Sequence, residues 1–213
     1  MKDKFLTQWE GHEPIFSKVK GIIHPGPPLK TRLSNSIYRL QVVLHRLQST
    51  SARLEQRDKD FFGKCTEAQV QKDQARASML ASECGELRKM ARMVLRSQLA
   101  IEQVVFRLET VRDFGDVAVQ MAPVVGVVHT LKNQLMGVMP EVSFELGTIG
   151  DTLNNMVVEV GETTGNDLDI VTSGEESQKV MKEAGLVAEQ HMTAKFPDLP
   201  SSLPDAGLSE KGV

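Results

Sequence analysis

Aromatic side chains are scarce in this chain, 5% of 213 residues with a single Trp and a single Tyr. Hydrophobic residues reach only 40%, a little low for a globular core. That scarcity argues against an aromatic-walled catalytic pocket and against a surface that stacks bases. The two cysteines, Cys65 and Cys84, lack both metal-ligand and redox-pair spacing, so buried reduced thiols are expected. No stretch approaches the ~18 apolar residues of a membrane span. The most apolar segment, residues 118 to 128, is broken by Gln120 and Pro123. The opening residues, MKDKFLTQWEG, lack the apolar segment of a secretory signal. An intracellular chain with at most peripheral membrane contact is the expectation. No phosphate-cradling loop, dinucleotide glycine pattern, zinc spacing or nucleophile motif is present, and the five His are scattered. We therefore expect no enzyme, no catalytic residue, no metal and no cofactor.

What the chain does have is a charge that changes sign. Residues 1 to 112 hold 20 Lys/Arg against 12 Asp/Glu, whereas residues 113 to 213 hold 5 against 16. A basic part of this kind can bind an anionic surface, and an acidic part can fold back and mask it. The region after Gly161 is rich in acid, and its removal is expected to strengthen lipid binding.

Helical periodicity dominates. Residues 1–27 read as an N-terminal amphipathic segment. In it Phe5, Leu6 and Trp9 share one face, and Ile15, Phe16, Val19, Ile22 and Ile23 form a second apolar piece with Lys18 and Lys20 interleaved. Residues 24 to 28, His-Pro-Gly-Pro-Pro, break the chain. A first long helix then starts near Pro28 with the seam Leu33, Ile37, Leu40, Leu44, Leu47 and Leu54. Arg32, Arg39, Arg46 and Arg53 repeat at strict sevens on another side. The pattern loosens at residues 57 to 63, which reads as the tip of a hairpin. A second long helix carries the seam Ala77, Leu80, Cys84, Leu87, Ala91, Val94, Ile101, Val105 and Leu108, so the two should pack antiparallel. Met79, Met90, Met93, Leu95, Leu99, Val104 and Phe106 form a further apolar set on it, which must cover either C-terminal helices or a neighbouring subunit. A third helix is expected over about 116 to 138, strained near Pro123 and Gly126. A fourth runs from Glu141 to Val160 with Val142, Leu146, Ile149, Leu153, Met156, Val157 and Val160 on its apolar face. Residues 161 to 174 read as an acidic linker. Glu175 to Lys195 reads as a short amphipathic helix carrying Val180, Met181, Ala184, Val187, Ala188 and Met192. The fold class is all-α: a long antiparallel hairpin with smaller C-terminal helices.

Three features point to function. The arginine row, with no interleaved acids, suits lipid phosphates, where each basic residue contributes about 1 kcal/mol; nucleic-acid phosphates or a solvated face are the other readings. Phe5, Leu6 and Trp9 can dip into a membrane interface or pack on the hairpin; for Ile15 to Ile23 packing is favoured. The tail segment Phe196-Pro197-Asp198-Leu199-Pro200-Ser201-Ser202-Leu203-Pro204 has three apolar–proline steps. Proline lowers the entropy lost when such a peptide docks in a groove.

Several phrases carry a family resemblance. They are Tyr38-Arg39-Leu40, Gln56 to Phe62 (QRDKDFF), Glu83 to Met90 (ECGELRKM), Val94 to Gln103 (VLRSQLAIEQ), Arg107 to Val111 (RLETV) and Gly137 to Val142 (GVMPEV). Over residues 28–160 the chain resembles the ESCRT-III (Snf7-type) family, within it the archaeal cell-division protein B group. The resemblance implies filaments that remodel membranes, constricting the division neck in archaea while related assemblies release vesicles, built from this chain and paralogous subunits; a static coiled-coil adaptor or a basic nucleic-acid-binding helical protein is the competing reading. The resemblance also implies membrane binding by Phe5, Leu6, Trp9, Arg32, Arg39, Arg46 and Arg53. Met79, Met90, Met93, Leu95 and Leu99 would form the polymer interface. Residues 161–213 would regulate, and Phe196, Pro197, Leu199, Pro200, Leu203 and Pro204 would dock the MIT domain of an AAA ATPase. Anionic lipids are then the expected partner rather than nucleic acid, at the cytoplasmic face of the division site.

Overall fold

A computed structural model describes residues 27–114, 117–164 and 170–197. They form five helices: α1 (Leu29–Val70), α2 (Gln74–Phe114), α3 (Val117–Leu135), α4 (Pro140–Thr164) and α5 (Ile170–Lys195). Among the described residues there is no strand. The N-terminal pieces with Phe5, Leu6, Trp9 and Ile15 to Ile23, and the tail positions Leu199, Pro200, Leu203 and Pro204, lie outside the described residues.

Helix α1 begins where Pro28 ends the extended entry, and the Pro28 carbonyl accepts the Arg32 N–H at 3.1 Å. Its 42 residues extend over about 63 Å. Leu33, Ile37, Leu40 and Leu47 are buried in the main core, with Leu44 and Leu54 packed partly against it. The same core takes Val94, Ile101, Val105 and Leu108 from α2, so the two seams meet as an antiparallel hairpin.

The tip lies later than the sequence suggests. Residues 57 to 63 stay helical, and the turn falls at Gln71 to Asp73. The cause is Asp58. The α1 seam continues beyond Leu54 as Asp58, Phe61, Cys65 and Ala68 at steps of 4, 3, 4 and 3, and Asp58 occupies a seam position although it is charged. It is buried at 1% exposure because Arg88 of α2 reaches across and donates two hydrogen bonds, Nε to Oδ1 at 2.8 Å and Nη2 to Oδ2 at 3.0 Å. At the true turn Lys72 takes a left-handed backbone, φ 60°. The Asp73 N–H bonds to the Ala68 carbonyl at 2.9 Å and the Lys72 N–H to that of Gln69 at 3.0 Å, which closes the end of α1. Asp73 then caps α2, its Oδ1 accepting the Arg76 N–H at 3.1 Å.

Beyond the hairpin, α3 is continuous through Pro123. It pairs with α4, whose anticipated apolar face is buried residue for residue, Val142, Leu146, Ile149, Leu153, Met156, Val157 and Val160. Their connection is closed by Ser143 Oγ donating to the Lys132 carbonyl at 2.8 Å. Both α4 and α5 reach into the segment read as a linker. Helix α5 lies across α2 and α3, burying Val180, Met181, Ala184, Ala188 and Met192 while Val187 stays exposed. One apolar core therefore joins all five helices.

Candidate functional site on the basic hairpin face

The arginine row is where the hairpin meets its acidic partner helices. Seven-residue spacing places successive arginines about 10.5 Å apart along α1. Arg32 Nη1 pairs with Glu159 Oε2, and Arg39 Nε with Glu145 Oε1 at 2.7 Å. Both carboxylates belong to α4, which packs along α1. Arg46 and Arg53, the next two members, are exposed; Glu141 shares their cavity, but neither arginine forms an ion pair among the described residues. Arg53 instead donates to Thr50 Oγ1 at 3.1 Å. With His45, Ser49 and the first turn of α4 they border a cavity of about 680 Å³. The row is thus half covered by α4 and half open.

Other pairs repeat the attraction. Arg107 meets Glu176 at 3.4 Å and Arg92 meets Glu189 at 2.7 Å, both acids on α5. One pair runs the other way, Lys195 of α5 to Glu55 of α1 at 3.2 Å. Hydrogen bonds from Lys59 and Lys195 hold the Glu55 carboxyl below its ordinary pKa. These groups are partly exposed, so each pair contributes about 0–1 kcal/mol and weakens with salt. Closure rests mainly on the apolar core, and the charges set which surfaces are covered. The acids that cover the row, Glu145 and Glu159, stand before Gly161, so the α4 register and not the later acidic region masks Arg32 and Arg39.

About 20 Å short of the tip the tail comes back to the hairpin. Arg88, already bound to Asp58, donates from Nη1 to the Pro197 carbonyl at 2.6 Å. Its guanidinium lies 5.7 Å from the Phe196 ring centre and 5.8 Å from that of Phe62. Phe196 also packs on a small cluster of Ala91, Leu95, Ala188 and Met192. The first two tail residues singled out in the sequence, Phe196 and Pro197, are therefore held on the hairpin. Asp58 and Arg88 lie in phrases quoted for the resemblance, but the sequence reading gave neither this role; the uninterrupted seam register at position 58 was the available signal.

The further apolar set on α2 divides among several surroundings. Met79 and Phe106 are exposed, at 59% and 70%. Met90 is half-buried, Met93 and Leu99 pack partly on the main core, Val104 lies within that core, and Leu95 is buried under α5 beside Ala188 and Met192. Intramolecular helices cover most of this set in the present conformation. Burial, and secondarily the Asp58 charge, push the Cys84 thiol up, and both cysteines are buried. Among the described residues no group of three or more potential metal ligands converges, and no helix is long and apolar enough to cross a membrane.

The chain is similar to Cell division protein B1 of Sulfolobus acidocaldarius, 42% identical over 208 residues that cover 98% of this chain and 93% of that protein. It is also similar to Cell division protein B of the same organism, 32% identical over 190 residues, 87% of this chain and 73% of the other. No family model matches the chain, and no solved structure matches it. The likeness spans hairpin, C-terminal helices and tail alike, in accord with the phrases quoted from the sequence and with an all-α, hairpin-based fold. The chain belongs to the archaeal cell-division protein B group of the ESCRT-III (Snf7-type) family.

Proposed function

We propose that this protein is a filament subunit that acts on membranes in archaeal cell division and takes up its partners through three surfaces. The arginine row, with Phe5, Leu6 and Trp9 of segment 1–27, binds anionic lipid at the cytoplasmic face of the division site. The α2 residues Met79, Met90, Met93, Leu95 and Leu99 contact the next subunit, of this chain or a paralogue, once α5 has moved. The tail residues Phe196, Pro197, Leu199, Pro200, Leu203 and Pro204 dock the MIT domain of an AAA ATPase, which spends the ATP and extracts subunits. Segment 28–160 is the working core, and 161–213 regulates access to it.

The observation that carries this reading is the half-covered row. Arg46 and Arg53 stand open to an anionic surface, while Arg32 and Arg39 sit under carboxylates that such a surface would have to displace. A row meant only for solvation has no need of a dedicated acidic cover. With about 1 kcal/mol for each basic residue near an anionic bilayer, the two open arginines suit a first weak contact and all four a firm one.

The test is sedimentation with anionic and neutral vesicles, followed by imaging of the lipid pellet. Preferential pelleting with anionic vesicles, filaments on them, and loss of binding in Arg46→Glu/Arg53→Glu are expected. Equal partition between the two lipids, or binding to nucleic acid without lipid preference, refutes the membrane role. Leu199→Asp/Leu203→Asp should abolish capture by an MIT domain and leave lipid binding intact.

A further inference from the structure

The outer side of the α3–α4 pair is a groove that the proposed function does not use. It forms a cavity of about 750 Å³, within the range of built binding sites. Small residues line it, Ala122 and Gly126 from α3, Gly147 and Gly150 from α4, and let the helices pack closely beneath it. A Cβ on Gly150 would touch Val128 at 3.4 Å, and one on Gly126 would press on Ser177 of α5 at 3.1 Å. The core thus forms the floor, and α5 closes one end. Along the α4 edge Val158 lines the groove at 50% exposure. Phe144, on the same α4 side by its spacing of fourteen residues, is 78% exposed. Two large apolar side chains are thus left open along the α4 edge of the groove.

We propose that residues 15–23 of this same chain fill the groove as a short amphipathic helix. Three observations select that occupant. The first is where the described chain begins. Leu29 is buried in the core, and Arg32, one turn later, pairs with Glu159, the neighbour of Val158. The described chain therefore begins level with the Val158 end of the groove, on the α1 side of α4. Residues 24 to 28 reach at most about 17 Å when extended, enough to turn the chain around that edge and too little to carry it far away.

The second is length. Nine helical residues measure about 13.5 Å, and α4 from Gly147 to Val158 measures about 16 Å. The third is chemistry. Ile15, Phe16, Val19, Ile22 and Ile23 fall at i, i+1, i+4, i+7 and i+8, one continuous apolar face. Lys18 and Lys20 flank it, and the exposed Asp151 lines the groove with no ion pair among the described residues. His129 and Lys132 line the other part of the groove; the Lys132 side chain passes 3.4 Å from where a Gly147 Cβ would stand and swings outward at little cost. Docking here leaves Phe5, Leu6 and Trp9 tethered to the core by only five residues. The proposal does not depend on membrane binding or polymerisation.

Hydrogen exchange of the full chain in lipid-free solution, read by mass spectrometry, tests it. Amides of 15–23 should exchange at least ten times more slowly than their unprotected rate, as expected when several aliphatic side chains are buried at about 1.5–3 kcal/mol each. Val19→Asp/Ile22→Asp should remove that protection and speed exchange in 144–158. Gly147→Phe, which fills the groove, and Val158→Lys, a surface change that leaves folding intact, should each release 15–23 while exchange in hairpin residues 33–47 stays unchanged. Unprotected 15–23 in the parent chain overturns the proposal. So does protection that survives both groove variants, which would place the segment elsewhere, and so does protection lost on dilution, which would make a second copy the occupant.

Discussion

Asp58 and Arg88 form a charged pair inside a heptad seam, and removing one partner should cost far more than removing both. Asp58 has a side chain 2% exposed and Arg88 one 13% exposed, so the carboxylate cannot turn to water when its partner is deleted and the guanidinium can do so only in part. Asp58→Ala leaves the guanidinium with the Pro197 carbonyl and two aromatic rings, and Arg88→Ala leaves a buried carboxylate. Each single variant should lose about 3–5 kcal/mol. The double variant Asp58→Leu/Arg88→Met restores an apolar seam between Leu54 and Phe61 on α1 and should come within about 1 kcal/mol of the parent. Urea unfolding followed by helical circular dichroism measures all four proteins. A large coupling between the two positions is the expected result. Single variants that lose less than about 1 kcal/mol, or a double that loses the sum of the singles, would refute the claim that this pair continues the seam.

Other consequences are local. Lys72 holds a left-handed backbone at the tip, so Lys72→Gly should gain about 1 kcal/mol in the same unfolding assay. Lys59 and Lys195 hold Glu55 below its ordinary pKa. That stabilisation is complete above the ordinary carboxylate pKa and disappears as pH falls through the lower folded value. Glu55→Gln should therefore cost about 0.5 kcal/mol at neutral pH and nothing once acid has protonated the parent, as shown by stability measured across that range. Cys65 and Cys84 are buried and the Cys84 thiol is pushed up, so a thiol reagent should label the native chain about a hundredfold more slowly than the unfolded one.

Much of this architecture is legible in the residues. The start of α1 at Pro28, the α1 and α2 seams as far as Leu54 and from Ala77, and the whole apolar face of α4 follow from spacing alone. The tip does not, because a charged residue in a seam position looks like a break until its partner thirty residues away is known. The second apolar set on α2 also misleads: its members point to different neighbours, Leu95 under α5, Val104 in the core, Met79 outward. Spacing on one helix cannot say which helix arrives to cover it. The same holds for the cover of the arginine row. Glu145 and Glu159 border an apolar face like many other acids, and only the packing of α4 on α1 brings them to Arg39 and Arg32. Charge segregation announced that the two parts would attract; register decided which groups meet.

The central claim is that α4 carboxylates and an anionic membrane compete for one basic row. The most direct test is the affinity of full-length Glu145→Gln/Glu159→Gln for anionic vesicles, compared with the parent at the same ionic strength. With two further arginines released at about 1 kcal/mol each, binding should tighten by roughly ten- to thirtyfold, with neutral vesicles unaffected. Unchanged affinity in a variant that keeps its helical content and unfolding midpoint would contradict the account.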